Sequence, residues 1–252
     1  MSVESDAKKS RRSGVAETMR VIIHALILAM IVRVFFFQPF NIPSGSMIPT
    51  LLVGDYLFVS KYSYGYSNYS FPFSPDLFTG RIWGSEPDRG DVAVFKLPKD
   101  NSTDYIKRVI GLPGDEVQMI HGVLHINGAA VKRKRIEDFA IRDSAGSPRQ
   151  IMRYRETLPN GVSYQVLDLV ENGFSDNTQV FKVPEAHFFM MGDNRDNSTD
   201  SRVPQAVGFV PFENFIGRAE IIFFSAEPGT SWWEFWRWPG AIRWLRLFRL
   251  VD

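Results

Sequence analysis

Two serines separated by one glycine stand just after the end of a long apolar stretch. The apolar residues run to Phe37, and Pro43-Ser44-Gly45-Ser46-Met47 follows within a few positions. A serine hydroxyl becomes a strong nucleophile when a neighbouring base takes its proton, and acyl transfer also needs donors that stabilise an oxyanion. The chemistry open to Ser46 therefore depends on the base that the rest of the chain supplies.

Histidine is the usual base, but the four histidines of this chain form no recognisable Ser-His-Asp arrangement. His24 lies inside the apolar stretch, His121 and His125 flank a predicted hairpin, and His187 stands alone in the run P-E-A-H-F-F-M-M-G-D. No G-x-S-x-G elbow accompanies any of them. A structural role is the favoured interpretation for all four.

Thiol and metal chemistry find little support. The chain contains no Cys, which excludes thiol catalysis, disulfides and thiolate metal sites. The spacing of His121 and His125 would suit a metal site on a helix, but the segment has a strand-and-turn pattern. The acidic run Gly192 to Arg202 is a poor calcium loop, because Arg195 takes a ligand position and the central Gly and closing Glu are out of register. We expect no metal and no cofactor.

Lys107 is the candidate base. It lies in the apolar run Y-I-K-R-V-I, whereas most other lysines stand among charges or in predicted loops. An ammonium with an ordinary pKa of about 10.4 is useless as a base at neutral pH, but burial can lower that pKa to about 7–8. A solvent-facing lysine on an edge strand would give the same pattern, so the residues alone leave both interpretations open.

The apolar stretch before Ser46 predicts a membrane-spanning helix. Val21 to Phe37 is at the short end of the roughly 17–25 residues that cross a bilayer, and Arg33 near its distal end can extend to the interface. By the positive-inside rule the N-terminus stays cytoplasmic and the remainder is exported. A cleaved signal peptide is disfavoured because no small-x-small pattern closes the run, and a buried helix because the flanking charges are lopsided. The basic residues that precede the run are Lys8, Lys9, Arg11, Arg12 and Arg20.

Downstream of Ser46 the sequence predicts a mostly-β fold, a partly closed barrel or sandwich. Asn127-Gly128 and Asn160-Gly161 are typical of tight hairpin turns. No long amphipathic helical pattern occurs between Ser46 and about Ser225. The predicted β-rich runs are Asp55 to Tyr62, Asp91 to Pro98, and Asp104 to Val117, the last broken by a Leu-Pro-Gly-Asp turn.

Two internal stretches are predicted as loops, and the C-terminal tail as a helix. Residues 63–90 are rich in Tyr, Ser, Pro and Gly, and residues 133–157 carry many charges, as expected of a solvated excursion. The basic run 132–135 is better explained as a charged hairpin end than as a nucleic-acid site, since the net charge is only +1. From Ala241 onward, apolar residues and arginines alternate as in an amphipathic helix. That helix would lie in a membrane interface or pack on the β-domain.

Four segments together resemble bacterial type I signal peptidase. They are N-I-P-S-G-S-M-I-P-T-L-L-V-G-D, R-G-D-V-A-V-F-K-L-P, D-Y-I-K-R-V-I-G-L-P-G-D-E-V and F-F-M-M-G-D-N-R-D-N-S-T-D-S-R, in this order behind an N-terminal anchor. The resemblance runs from about Phe36 to Gly217. It implies a membrane-anchored Ser/Lys-dyad endopeptidase with a mostly-β catalytic domain and an inserted β-hairpin subdomain, which removes signal peptides from exported preproteins after small residues (A-x-A-like). Its implied partners are those preproteins and the lipid bilayer, without nucleic acid or metal.

The resemblance also implies roles for individual residues. Ser46 matches the nucleophile and Lys107 the general base. Ser44 matches the hydroxyl that joins the Ser46 N–H in the oxyanion hole, and Ser198 the serine that orients the lysine. The supporting charged residues are Asp193, Asp200, Arg202 and Arg108. The walls of the substrate pocket are Phe40, Ile42 and Ile106. Some relatives carry a second span or a disulfide, neither of which is found in this sequence.

The same resemblance implies a location and a division of the chain. The protein is expected in the bacterial inner membrane as a single-pass protein with its catalytic domain outside the cytoplasm. A non-catalytic membrane-anchored binding protein and a LexA-like regulator are the competing classes, disfavoured by the intact serine and lysine positions and by the N-terminal span respectively. Organellar processing peptidases share the mechanism and are not cleanly separated by motifs. The expected segments are 1–20 (cytoplasmic), 21–38 (anchor), 39–118 and 185–226 (catalytic β-domain), 119–184 (inserted hairpin region) and 227–252 (aromatic and basic membrane-interface tail).

Overall fold

The first helix is the longest described element, and from Ala16 onward almost all of its residues are exposed. The structure, a computed structural model, describes residues 3–142, 148–230, 234, 236 and 238–251. Helix α1 spans Val3–Phe35, and its segment Ala16–Phe35 has a mean hydropathy of 2.0 with 6% of its apolar window buried. No other helix in the described ranges is long and apolar enough to cross a membrane. Aliphatic side chains exposed around a helix suit lipid better than water, which is compatible with the predicted anchor.

Helix α1 ends earlier than the sequence predicted. The predicted segment ran to Phe37, but the helix ends at Phe35 and an extended strand begins at Phe37. Pro39 accounts for the difference, because a proline cannot donate a helical hydrogen bond and disfavours helical backbone in the residue before it. The Lys61 amide donates to the Phe36 carbonyl at 2.9 Å, so the end of the helix is tied to the β-domain.

The remainder of the described chain is mostly β, as predicted, and its strands form three sheets. The largest has the order β1-β2-β14-β3-β4-β12-β13, with β15 also on β14; the others are β10-β9-β8 and β11-β5-β6-β7, in a numbering that follows the chain. The strands are β1 Phe37–Asn41, β2 Asp55–Ser60, β3 Val92–Lys96, β4 Asp104–Gly111, β5 Glu116–Ile120, β6 Val123–Ile126, β7 Ala129–Ala130, β8 Lys132–Arg142, β9 Pro148–Thr157, β10 Ser163–Asp168, β11 Phe181–Lys182, β12 His187–Met191, β13 Val210–Pro211, β14 Phe215–Ser225 and β15 Arg249–Leu250.

The large sheet curls into a half-barrel, in agreement with the partly closed form that the sequence predicted. Strand β14 pairs with β2 on one side and β3 on the other, and its register shifts on both sides. Such bulges increase the local twist and bend a strand. A buried cluster packs Met47 and Leu51, just after the nucleophile candidate, against Leu57 of β2, Val94 of β3 and Ile222 of β14. Apolar packing against three strands of the large sheet, β2, β3 and β14, therefore anchors the loop that carries Ser46.

Both predicted hairpin turns are confirmed. Asn127 and Gly128 join β6 to β7 with φ values of 53° and 77°, and Ile126 pairs with Ala129 across the turn. Positive φ at both central positions is the requirement of a type I′ turn, which Asn-Gly meets at low cost. The second turn, at 160–161, lies between the antiparallel strands β9 and β10.

Of the two stretches predicted as loops, one prediction is right and one is wrong. Residues 63–90 are irregular apart from the 3-10 helix Asn68–Ser70 and one isolated bridge. Residues 133–157 instead fall largely in β8 and β9, which pair with each other. The Arg133 guanidinium lies 3.6 Å from the Tyr154 ring centroid and that of Arg153 lies 5.7 Å from Phe139. Arginine side chains therefore stack over aromatic rings on this sheet. The high number of charged residues is typical of a solvated loop, but that prediction is wrong here.

The predicted C-terminal amphipathic helix is also wrong. Helix α2, Trp238–Ala241, ends where the predicted helix begins, and a 3-10 turn at Trp244–Arg246 and strand β15 follow. The reason is a buried carboxylate: Arg246 pairs with Asp55, and Arg246 also donates to the Thr50 carbonyl at 2.9 Å. The described tail thus packs on the β-domain, which was one of the two placements left open. Its exposed apolar side chains are Trp236, Trp244, Leu245, Phe248 and Leu250.

Candidate active site

The nucleophile candidate lies in the loop between β1 and β2. Ser46 is 8% exposed. The Asn194 amide donates to the Ser46 carbonyl at 3.0 Å, and its side-chain amide donates to the Gly45 carbonyl at 2.9 Å. At the base of the loop, the Ile42 amide donates to the Asp55 carbonyl at 2.8 Å. Hydrogen bonds from Asn194 therefore fix the carbonyls on both sides of the Ser46 amide.

The base candidate lies on the central strand β4, where Lys107 pairs with Ala93 of β3 and the next residue pairs with Met191 of β12. This placement rules out the alternative of a solvent-facing lysine on an edge strand. Lys107 is 4% exposed. Its Nζ donates to Ser46 Oγ at 2.7 Å and to the Ile106 carbonyl at 3.0 Å. The two residues of the predicted dyad are thus in direct hydrogen-bond contact.

Burial lowers the pKa of Lys107 from 10.5 to about 8. The cost of holding a positive charge away from water outweighs the attraction of Asp200 and Asp193, which act in the opposite direction. A useful fraction of the amine is therefore neutral near pH 8 and can accept the hydroxyl proton of Ser46.

Two donors stand beside the reactive hydroxyl. Ser44 is exposed, and its Oγ lies 3.5 Å from Ser46 Oγ. In the part of the chain that the structure describes, the Ser46 amide N–H has no hydrogen-bond acceptor. A free backbone N–H next to a movable hydroxyl can stabilise the oxyanion that forms on a substrate carbonyl oxygen when Ser46 Oγ attacks the carbonyl carbon.

Two buried ion pairs involve the four residues predicted to support the dyad. Arg108 Nε and Nη2 donate to the Asp193 carboxylate at 2.9 and 2.8 Å. Arg202 Nε and Nη2 each donate to the Asp200 carboxylate at 2.9 Å. Burial alone would raise the pKa of Asp200, but the adjacent Arg202 guanidinium holds it below its usual value. All four predicted supporting residues therefore form bidentate pairs around the loop that follows β12.

Ser198 makes no hydrogen bond to the lysine among the described contacts. Its hydroxyl is buried and lies near enough to Asp200 to help lower the pKa of that carboxyl, but it has no hydrogen-bond partner of good geometry among the described residues. It lies against Gly192, where an added Cβ would be only 2.2 Å from Ser198 Oγ. The predicted bond to Lys107 is absent from the described contacts, so its lysine-orienting role stays a prediction.

A groove of about 470 Å³ opens at the dyad. All three predicted wall residues, Phe40, Ile42 and Ile106, line it together with both dyad residues. Its walls are the extended segment that continues β1 and the first half of β4, so an extended peptide has backbone on either side. The lining residues that the sequence did not identify are Asn41, Pro43, Gly45, Val94, Asp104, Tyr105, Asn197 and Thr199.

The sequence also missed the residues that connect the site to the inserted sheet. Arg195 donates to Glu156 of β9, and Tyr164 of β10 donates to the same carboxylate at 2.9 Å. The Arg108 guanidinium stacks over the Tyr164 ring at 4.2 Å. Glu156 carried no signal because it lies in the charged stretch predicted as a loop. Asn194 stands in a quoted motif, but nothing in the sequence pairs it with Gly45.

Three carboxylates elsewhere come close enough together to ligate a cation. Asp168, Asp176 and Asp196 each offer an oxygen, and these atoms lie within 4.8 Å of one another. Asp168 is paired with Arg133, and each of the others already accepts from backbone N–H groups. We assign no ion to this cluster, because each of its carboxylates already has a protein partner through at least one oxygen.

Comparison with known proteins gives a family match over most of the chain. A family model described as "Signal peptidase, peptidase S26" matches residues 15–224. The chain belongs to this family. The resemblance found in the sequence is therefore confirmed, and the chain is a serine endopeptidase, a hydrolase.

Two Rickettsia relatives agree with the family assignment. Signal peptidase I of Rickettsia conorii is 46% identical over 218 residues, which cover 83% of this chain and 79% of that protein. Signal peptidase I of Rickettsia canadensis is 42% identical over 241 residues, covering 92% and 88%. A crystal structure of a signal peptidase I from Enterococcus faecalis is 29% identical and covers 53% of this chain and 97% of that one, with a TM-score of 0.33.

Proposed function

We propose that the chain is a membrane-anchored endopeptidase that removes N-terminal signal peptides from exported preproteins, using Ser46 and Lys107 as a catalytic dyad. The observation that carries the proposal is the 2.7 Å contact between Lys107 Nζ and Ser46 Oγ in a buried site. A lysine pKa of about 8 makes that contact chemically productive. Family membership supports signal-peptide cleavage as the reaction class.

The first half of the reaction forms an acyl-enzyme. Neutral Lys107 takes the hydroxyl proton of Ser46 as its Oγ attacks the scissile carbonyl. The negative charge that develops on the carbonyl oxygen is met by the Ser46 N–H and the Ser44 hydroxyl. The Lys107 ammonium then gives its proton to the leaving amine, and the C–N bond breaks.

The second half returns the enzyme to its starting state. Neutral Lys107 takes a proton from a water molecule, whose oxygen attacks the ester carbonyl. The same two donors stabilise the second oxyanion, and the lysine returns the proton to Ser46 Oγ as the C–O bond breaks. One lysine thus serves as base and acid in turn, so its pKa must lie near the working pH.

Substrate preference is proposed from the walls of the groove. The side chains of Ile42 and Ile106 narrow the space next to Ser46, which favours Ala or Gly on the acyl side of the cleaved bond. Discrimination by one methylene in an apolar pocket is only about 10- to 200-fold. Specificity therefore also depends on holding the preprotein segment in an extended conformation along the groove.

Location is proposed from the N-terminal helix. Basic residues precede its apolar segment Ala16–Phe35, so the N-terminus is expected on the cytoplasmic side of the bacterial inner membrane. The chain would cross once and place the β-domain outside the cytoplasm. The groove begins only a few residues beyond the helix, at Phe40, which is where a membrane-inserted signal peptide presents its cleavage site.

A preprotein cleavage assay tests the proposal. Full-length protein in detergent is mixed with a preprotein that carries a small-x-small site, and the product is identified by N-terminal sequencing. Ser46→Ala and Lys107→Ala should abolish processing, and Lys107→Arg should as well, because a guanidinium does not deprotonate in this pH range. Lys182→Ala, an exposed lysine on β11, is the matched control and should process normally. An active Lys107→Arg enzyme would disprove the lysine-base mechanism.

A further inference from the structure

A second buried lysine lies outside the active site. Lys61 directly follows β2 and is 2% exposed. Its Nζ donates to the Ser70 carbonyl, the one hydrogen-bond acceptor it has among the described residues. An ammonium carries three N–H donors. No described carboxylate lies within ion-pair distance of it, in contrast to the buried arginines of the active site, each of which holds a carboxylate.

The charge of Lys61 is therefore uncompensated. Burial, with a smaller contribution from Arg33, lowers its pKa to about 8, so most of the amine is still protonated at pH 7. A buried cation without an anion costs folding free energy unless something else supplies the negative charge. Arg33, a second cation, lies near Lys61 where an acid would be expected, and its repulsion increases that cost.

Lys61 faces a cavity with a marked excess of positive charge. The cavity measures about 190 Å³, and Arg33, Lys61 and Lys96 all line it. One carboxylate is present, that of Asp104, and it pairs with Lys96 at 2.8 Å. Gln38 and Ser74 add neutral polar groups. The volume is several times the roughly 30 Å³ that a water molecule occupies, which leaves room for a small anionic group.

The position of the cavity indicates which anion is available. Arg33 stands in the last turn of α1, close to the end of the apolar segment Ala16–Phe35. The Lys61 amide is held by the Phe36 carbonyl, one residue past that helix. If α1 spans the bilayer, all three cations stand at the depth of the lipid headgroups on the extracytoplasmic side.

We propose that this cavity binds the phosphate of an anionic phospholipid headgroup, with Lys61 as the buried cation and Arg33 and Lys96 at its mouth. The proposal rests on the membrane-spanning part of the proposed function and is independent of the serine–lysine chemistry. Asp104 lines both this cavity and the substrate groove. A bound lipid phosphate would therefore fix the height of the groove above the bilayer through a shared wall.

The test measures lipid binding by the full-length chain in a neutral detergent. Short-chain phosphatidylglycerol, the matching phosphatidylcholine and inorganic phosphate are titrated separately, and the dissociation constant is taken from the ligand dependence of Tm. We expect a saturable rise in Tm with phosphatidylglycerol and none with phosphatidylcholine. An equal response to both lipids would overturn the proposal, and an equal response to free phosphate would overturn its assignment to a lipid.

Charge variants show whether the cavity is the site. Lys61→Gln should weaken phosphatidylglycerol binding about tenfold or more, as expected for loss of a charge-assisted hydrogen bond. Asp104→Asn should strengthen it about fivefold, the effect of one charge near an anionic headgroup. Arg33→Gln, at an exposed position, should weaken phosphatidylglycerol binding about fivefold, again the effect of one charge. If Lys61→Gln does not fold, this variant shows whether the cavity is the site. Lys134→Gln, an exposed lysine on β8, should bind as the wild type does.

Affinity that is unchanged in Arg33→Gln and Asp104→Asn would refute the site. A purely structural role for Lys61 predicts a lower Tm in Lys61→Gln but no gain of affinity in Asp104→Asn, so the sign of that second change separates the two explanations. Cleavage of a soluble peptide is measured on the same samples. In the wild-type protein, lipid binding without peptide cleavage would count against the dyad alone, and peptide cleavage without lipid binding would count against the lipid site alone.

Discussion

Gly192→Ala should damage catalysis far more than its one added methyl group implies. A Cβ at this position would lie 2.5 Å from the Ser46 carbonyl oxygen and 2.2 Å from Ser198 Oγ, whereas ordinary contacts lie at about 3.5 Å. Ser198 Oγ can rotate away, but Ser198 Cβ, at 2.6 Å, and the Ser46 carbonyl can move only with the backbone. The nucleophile loop must therefore move by roughly 1 Å, a displacement that commonly costs about 10²-fold in rate.

The expected loss is in turnover. The contact between Ser46 Oγ and Lys107 Nζ is 2.7 Å, and a shift of roughly 1 Å takes it beyond hydrogen-bond range. We expect kcat on a peptide with a small-x-small site to fall about a hundredfold, with KM changed less than about threefold because the groove walls stay in place. Steady-state kinetics at several substrate concentrations separates the two constants.

Two other glycines make matched controls. Gly240→Ala adds a methyl group that meets nothing within 4 Å, and its kinetics should equal those of the wild type. At Gly217, on β14, a Cβ would lie 2.2 Å from the Ser60 carbonyl, so Gly217→Ala should lower Tm by weakening the β2–β14 pairing. If Gly192→Ala kept wild-type kcat, or lost Tm and activity in the same proportion as Gly217→Ala, the tight-contact explanation would be wrong.

Three further outcomes are expected. Because only neutral Lys107 can act as base, kcat/KM should rise with pH through about 8 and then level off, and a pH profile without that limb in the wild type would contradict the lysine assignment. Ser44→Ala should lower kcat about 10²- to 10³-fold at nearly constant KM if its hydroxyl stabilises the oxyanion, which steady-state kinetics will show. Glu156→Gln should lower the free energy of unfolding by about 3 kcal/mol or more, since it leaves the Arg195 guanidinium buried without an anion; denaturant unfolding measures the loss.

The parts of the structure that the sequence predicted well depend on local chemistry. Asn127-Gly128 tolerates positive φ at both positions, so its hairpin could be placed without knowledge of the fold. The long apolar run before Pro39 predicted a long helix, and α1 contains that run up to Phe35. The pairing of Ser46 with Lys107 is different in kind, because 61 positions separate them. It came from the resemblance, and the residues alone had left a solvent-facing lysine open.

The parts of the structure that the sequence predicted poorly depend on side chains that pair with residues far away in the chain. Glu156 stands among charges and looks solvated until Arg195 and Tyr164, from two other segments, are seen to bury it. The tail arginines had the spacing of an amphipathic helix, but Asp55, far earlier in the chain, binds Arg246 and holds it in a 3-10 turn against the β-domain. Polar residues that pair across the fold have no periodicity, so patterns along the chain cannot find them.

We expect Arg108 and Arg202 to act mainly by controlling the charge that Lys107 meets. Both Asp200 and Asp193 raise the pKa of that lysine, and only burial works against them. Each carboxylate is held by a bidentate guanidinium, Asp200 by Arg202 and Asp193 by Arg108, so much of its negative charge is neutralised before it reaches the amine. With either arginine removed, the free carboxylate would stabilise the ammonium and move the lysine away from the pH at which it can accept a proton. In the proposed mechanism the ion pairs are therefore a condition for the use of lysine as the base, in addition to any stability they confer on the fold.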